Sequence, residues 1–110
     1  LEDVVGAVRG AVRTSYNTLI THGAMLTVER GRALSDAGIH QFNISLDYLD
    51  GRHDVARGIP GLTDRIWAAV DGMRAAGIDN IRFNTVLKDD NLDQALALVH
   101  RAAALGCGVN

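Results

Sequence analysis

The chain has 110 residues and a formal net charge of −2, with 11 Lys and Arg interspersed among 13 Asp and Glu. That balance leaves no basic footprint for nucleic acid, and no apolar stretch approaches the roughly 20 residues a bilayer span needs. The single cysteine, Cys107, excludes an internal disulfide and any self-contained cysteine-ligated cluster, and with no signal-peptide pattern it points to a reducing, cytoplasmic setting.

Residues 2–13 place Val4, Val5, Val8 and Val12 at helical spacing, with acids early and arginines late, an order that suits the helix dipole. Residues 16–21 read as a β-branched first strand that stops at His22-Gly23. Thr27 is placed to cap a helix running to about Ala37, with Gly38 as its left-handed stop. Gly31 inside that helix costs about 1 kcal/mol against alanine. Residues 40–47 form the second strand, with Phe42, Ile44 and Leu46 on one face and Asn43, Ser45 and Asp47 on the other. Residues 48–61 are expected to be the longest loop, broken by Gly51, Gly58, Pro60 and Gly61. A helix over about residues 62–76 follows, with Leu62, Ile66, Val70 and Met73 on one stripe. Residues 80–87 are a third strand with Ile81, Phe83, Thr85 and Leu87 against Asn80, Arg82, Asn84 and Val86. The last helix, about residues 91–105, is expected to bury Leu92, Leu96, Val99 and Ala103, and Cys107 to Asn110 opens a fourth strand. The start at Leu1, in mid-pattern, and the end at Asn110 read as cuts in a longer protein.

Helices alternating with strands predict an α/β fold of repeated parallel βα units. A weak repeat supports this, since Ala37-Gly38-Ile39 leads to Phe42-Asn43 as Ala76-Gly77-Ile78 leads to Phe83-Asn84. Parallel strands are normally buried on both faces and continuously apolar. Two neighbouring strands with a polar face therefore favour a barrel interior over a doubly wound open sheet.

In either architecture ligands sit beyond the C-terminal strand ends. The candidates are Thr21 and His22 after the first strand, Ser45 and Asp47 after the second, and Arg82, Asn84 and Lys88 on or after the third. They offer hydroxyls, an amide, a carboxylate and cations, a set suited to a nucleoside or an amino acid. The competing explanation is that Asn43, Ser45, Arg82 and Asn84 only satisfy one another. The four histidines lack helical ligand spacing: His40 and His100 are expected at the surface, while His22 and His53 could meet at the mouth. Asp50 and Asp54 are expected to make turn and salt-bridge contacts with Arg52 or Arg57. Cys107 reads as a buried structural thiol, Trp67 and Met73 as core, and Asp89-Asp90-Asn91 as the cap of the last helix.

Thr21-His22-Gly23, Leu34 to Gly38, Ile44-Ser45-Leu46-Asp47, His53-Asp54, Arg57-Gly58, and Asn84-Thr85-Val86 followed by Asn91-Leu92 together resemble the radical S-adenosylmethionine superfamily. The likeness spans essentially the whole chain and is nearest the branch of molybdenum-cofactor synthesis and peptide maturation. It implies the middle of a partial (β/α)6, TIM-like barrel, from helix 2 to the start of strand 6. It also implies S-adenosylmethionine and a [4Fe–4S] cluster as cofactors, and a 5′-deoxyadenosyl radical that abstracts a substrate hydrogen. A small-molecule or peptide substrate and a protein reductant would be the partners, with no nucleic acid or membrane involved. On this resemblance Ser45 contacts the ribose or amino-acid part of S-adenosylmethionine, Asp47 belongs to the same motif, and Arg82 and Asn84 face the lumen. Thr21 belongs to a mouth turn in which His22 replaces the usual asparagine. The chain departs from the family in having no CxxxCxxC and no Gly-Gly-Glu-Pro segment. The cluster ligands would therefore lie outside it, and the isolated chain is not expected to be competent.

Two other functions fit parts of the pattern. A receiver-like or flavodoxin-like domain would use Asp47 and Lys88, but needs acids near the first strand end, and residues 15–24 contain none. A non-catalytic binding or assembly module would account for the missing cluster motif.

Overall fold

The computed structural model describes residues 1–11 and 14–110; Val12 and Arg13, part of the expected first helix, lie outside them. The elements are α1 (Glu2–Ala11), β1 (Thr18–Thr21), α2 (Val28–Ala37), β2 (Gln41–Ser45), α3 (Gly51–Arg57), α4 (Leu62–Ala75), β3 (Ile81–Asn84), α5 (Leu92–Ala104) and β4 (Gly108–Val109). The four strands form one parallel sheet in the order β1-β2-β3-β4. Each strand thus lies beside its predecessor, with helices in the crossovers, the arrangement of repeated βα units. Among the described residues the order has no reversal of the kind that creates the ligand crevice of a doubly wound sheet.

The period-two alternation of β2 decides where the core sits. Phe42, Ile44 and Leu46 are sealed, and the register extends their face through Leu19 and Thr21 on β1 and Ile81 and Phe83 on β3. Leu34 of α2, Ile66, Trp67, Val70 and Met73 of α4, and Leu98 and Ala102 of α5 complete this core. Burying one such aliphatic or aromatic side chain contributes about 1.5–3 kcal/mol. Thr27 caps α2 by accepting from the Arg30 amide, and Gly38 closes it at φ 127°. Gly31 has a packing reason that outweighs its low helix propensity: a Cβ there would lie 2.8 Å from the Met73 side chain, so the glycine lets α2 approach α4.

Two expectations need correction, over residues 48–61 and on α5. The 48–61 segment is not a plain loop: Asp50 accepts from the Arg52 amide and Gly58 adopts a left-handed cap at φ 66°, and these two stops enclose the seven-residue α3. On α1 only Val5 is buried, while Val4 and Val8 are exposed. On α5 the sealed residues are Leu98 and Ala102; Leu92, Leu96, Val99 and Ala103 are exposed. An Ala- and Leu-rich helix carries more than one apolar stripe, and periodicity alone cannot choose between them. The stripe left over borders an open apolar groove of ≈ 350 Å³ shared with Leu87 and Val109. No helix among the described residues is long and apolar enough to cross a membrane.

Candidate functional site

The sheet face turned away from the core is mostly polar and, apart from the buried Asn43, open. Its rows follow from the register: Thr18 beside Gln41; Ile20, Asn43, Arg82 and Gly108 in line; and Ser45 beside Asn84. Asn110, just past β4, joins that last row by donating to the Asn84 amide oxygen over 3.0 Å and accepting from Arg82 over 3.2 Å. Gln41 donates to Asn43 over 2.7 Å. Mutual satisfaction is therefore real for part of this face, but incomplete. The half-buried Ser45 hydroxyl has no hydrogen-bond partner among the described residues, and Arg82 is exposed beside the bare backbone of Gly108. Described residues on this face bring no carboxylate to Arg82, whose guanidinium is bonded there only to Asn110.

Beyond Ser45 and Asn84 the backbone ladder gives way to side chains that tie the two strand ends together. Thr85 Oγ1 donates to the Leu46 carbonyl over 2.8 Å, and the Val86 amide donates to Asp47 Oδ1 over 2.9 Å. Asp47 is 8 % exposed, and its other oxygen lies 3.8 Å from both Arg57 and Lys88. It acts here as a strand-end brace whose oxygens are already engaged. Asn91 donates to the carbonyls of Asp47 and Val86 over 2.9 and 2.8 Å and accepts from the Lys88 amide over 2.8 Å. It occupies the N-cap position of α5 yet makes no side-chain cap bond, so the expected capping role is not what its side chain does. Outside this lies a second ring. Tyr48 donates to Asp90, a bond that pushes the phenol above its usual range, and hydrogen bonds from Arg52 hold Asp50 down to about 2. Asp54 does not pair with Arg57. It holds the start of α4 through Thr63 and Gly61, and the Thr63 bonds keep its carboxyl below the ordinary value.

His53 is sealed beneath this rim, and its Nδ1 accepts from the Asp47 amide over 3.3 Å. The ring proton must then sit on Nε2, which is buried without a partner. Burial, and then the nearby Arg57 charge, push His53 below 6.5. His22 stands apart: it is exposed and its Nδ1 accepts from Ala24 in a local turn. His40 and His100 are at the surface, as expected. Thr21 does not share the open face. It pairs with Ile44 on the helix-facing side, where its hydroxyl accepts from the Gly23 amide.

Of the sequence candidates, Ser45, Arg82 and Asn84 are thus brought together, Asp47 and Lys88 form the rim above them, and Thr21 lies apart. Thr85, Asn91 and His53 were not singled out as organisers of the rim. The signal for Asn91 lay in its chemistry, because only a carboxamide both donates twice and accepts. The residues present do not fit an iron–sulfur cluster. Cys107 is the single thiol, burial pushes it up, and no three His, Cys, Asp or Glu side chains gather among the described residues. The open face does fit a polar organic ligand, through the unpartnered Ser45 hydroxyl and the exposed Arg82.

No known family model matches the chain. It is 38 % identical over 93 residues to GTP 3′,8-cyclase 1 of Pseudomonas aeruginosa, a match covering 84 % of the chain and 28 % of that protein. It is 33 % identical over 100 residues to GTP 3′,8-cyclase of Mycobacterium sp. (strain KMS), covering 90 % of the chain and 28 % of the relative. An AdoMet-dependent heme synthase of Methanosarcina barkeri is 32 % identical over 89 residues, covering 80 % of the chain and 25 % of the relative. The chain therefore spans little more than a quarter of the length of the curated relatives it matches.

Proposed function

We propose that the chain, similar over most of its length to GTP 3′,8-cyclases and an AdoMet-dependent heme synthase, is part of the barrel core of a radical S-adenosylmethionine enzyme. The observation that carries this is the uncovered row Ser45–Asn84–Asn110 with Arg82 beneath it, on a parallel sheet whose strands run in sequential order. A partial (β/α)6 barrel turns such a face into its lumen, with the ligand at the C-terminal strand ends. Bound there, S-adenosylmethionine supplies the 5′-deoxyadenosyl group that starts radical chemistry.

The work proposed for these residues is binding and orientation. Ser45 offers a hydroxyl to ribose or to the amino-acid moiety. Arg82 supplies a bidentate donor to a carboxylate or phosphate, and Asn84 supplies its remaining amide donors. Asp47 braces the rim and does not itself contact ligand. In the proposed enzyme the cluster is held by residues outside these 110, so no step through it is assigned to this chain. The relatives are named for two different reactions, which supports assigning the shared segment to cofactor binding and leaving the substrate to other parts.

The test is 5′-deoxyadenosine formation by the complete polypeptide, reconstituted anaerobically with iron and sulfide and supplied with a strong reductant. Production that falls at least tenfold in Ser45→Ala and in Arg82→Ala supports the assignment. Undiminished production in both removes the open face from the active site. A binding or assembly module without this chemistry would yield no 5′-deoxyadenosine at all.

A further inference from the structure

We propose that Asn91 is a positioning residue: its buried carboxamide locks the loop after β3 onto the end of β2, so that Ser45 and Asn84 stand side by side before any ligand arrives. The inference rests on reading the open face as a ligand site, and it explains a feature that helix capping does not. Asn91 is 1 % exposed and sits where an N-cap belongs, yet its side chain turns away from α5. Both bonds of its Nδ2, to Asp47 O and Val86 O, and the bond of its Oδ1, from Lys88 N, are spent on the two rim segments. One planar group thereby fixes three backbone atoms drawn from two different βα loops.

The position of this lock gives it its consequence. β2 and β3 stop pairing at Ser45 and Asn84, with one further backbone bond from the Leu46 amide to the Asn84 carbonyl. Past that point the strand ends are joined by Thr85 to Leu46, Val86 to Asp47, and Asn91 to both segments. The same loop carries Lys88, whose ammonium lies 3.8 Å from Asp47 Oδ2. Freeing residues 86–91 would release Lys88 and Asp47 together and let the Ser45–Asn84 pair splay. Alanine removes the lock and leaves a hole. Aspartate keeps the size and the Oδ1 acceptor for the Lys88 amide but turns the Nδ2 donor into an oxygen facing two carbonyls, so both substitutions lose the contacts to Asp47 and Val86 and only alanine also loses the one to Lys88.

The experiment is amide hydrogen exchange by NMR on the protein, together with an S-adenosylmethionine titration of the complete, cluster-bearing polypeptide. Wild type, Asn91→Ala, Asn91→Asp and Ser45→Ala are compared. The expected result is protected Val86 and Lys88 amides in the ligand-free wild type. In both Asn91 variants the Val86 amide should exchange at least tenfold faster, and in Asn91→Ala the Lys88 amide as well, while Ile44, Ile66 and Val70 keep their protection. Affinity should fall about tenfold, equivalent to about 1.4 kcal/mol. Ser45→Ala should lose affinity without any change at Val86 or Lys88, which separates a contact from a positioning effect. Unprotected Val86 and Lys88 in the wild type would overturn the proposal without reference to any variant. So would faster exchange spread evenly over the core, which would mark Asn91 as a general stability residue, or a freed loop with unchanged affinity. If the wild type does not bind S-adenosylmethionine, the proposed function fails, and the exchange pattern alone still decides whether Asn91 locks the rim.

Discussion

Truncating Ile44 to alanine tests the division of β2 into a sealed face and an open one. Ile44 has no exposed surface; it pairs with Thr21 and Phe83 in the register and lies against the backbone of Gly23. Its neighbours are held by strand backbone on both sides, and Gly23 has no side chain to move in, so the site cannot collapse around the deletion. Buried Ile-to-Ala changes cost about 2–5 kcal/mol, rising with residual cavity, and the rigid surroundings place this one at about 3–4 kcal/mol. That is a large part of the roughly 5–15 kcal/mol by which a domain of this kind is stable. With a urea slope of about 1–3 kcal/mol/M, the midpoint of a urea titration followed by circular dichroism should fall by about 1–4 M. Ser45→Ala, one residue on and on the opposite face, should stay within about 0.5 kcal/mol of wild type. Equal losses from the two substitutions, or a loss of under 1 kcal/mol for Ile44→Ala, would refute the two-face assignment.

Three further outcomes follow from the geometry. His53 is held neutral because burial, reinforced by Arg57, depresses its affinity for a proton below the ordinary 6.5. The unfolded chain therefore binds that proton more tightly, so the contribution is complete above about pH 6.5 and is lost as pH falls through the lower folded value. Urea midpoints between pH 8 and 5 should show this decline in wild type and a flatter profile in His53→Gln; parallel profiles would remove His53 as the cause. Asp54→Asn should destabilise the start of α4 at pH 7, where the carboxylate is held below its ordinary 3.8 chiefly by Thr63. The gap to wild type should close as pH drops below that value, and a gap unchanged at pH 3 would contradict the assignment. Gly31→Ala gains helix propensity but drives a methyl against Met73, so a net loss of about 1–2 kcal/mol is expected. The loss should shrink in the Gly31→Ala, Met73→Val double variant, and strict additivity would show that the two sites do not touch.

The parts of this fold that were legible in the sequence are those where local chemistry and burial agree. Thr27 and Gly38 bracket α2 because each end carries its own stop, and the α4 stripe Leu62, Ile66, Val70 and Met73 is sealed as its spacing requires. The alternation of β2 and β3 likewise placed Ser45, Arg82 and Asn84 on one surface. What stayed hidden depended on the partner across space. Gly51, Gly58, Pro60 and Gly61 obscured α3, whose start is made by Asp50 and whose side chain His53 is fixed by a backbone amide six residues earlier. The buried stripe of α5 could not be chosen from several apolar rows without knowing where the sheet lay. Asn91 read as a cap because Asp-Asp-Asn before an apolar run favours one locally, whereas the two rim segments offered it three bonds. Thr21 followed the strand-end rule in position, but the period-two alternation turned it to the helix side.

The most direct measurement of the central claim is chemical-shift mapping of the ¹⁵N-labelled complete polypeptide, cluster reconstituted in its diamagnetic state, during an S-adenosylmethionine titration. The open-face site is expected to move Ser45, Arg82, Asn84 and Asn110 together, saturably, and to leave Trp67 in the core and Arg101 on the surface of α5 unshifted. Saturable shifts at Trp67 and Arg101, with Ser45 and Arg82 silent, would contradict it.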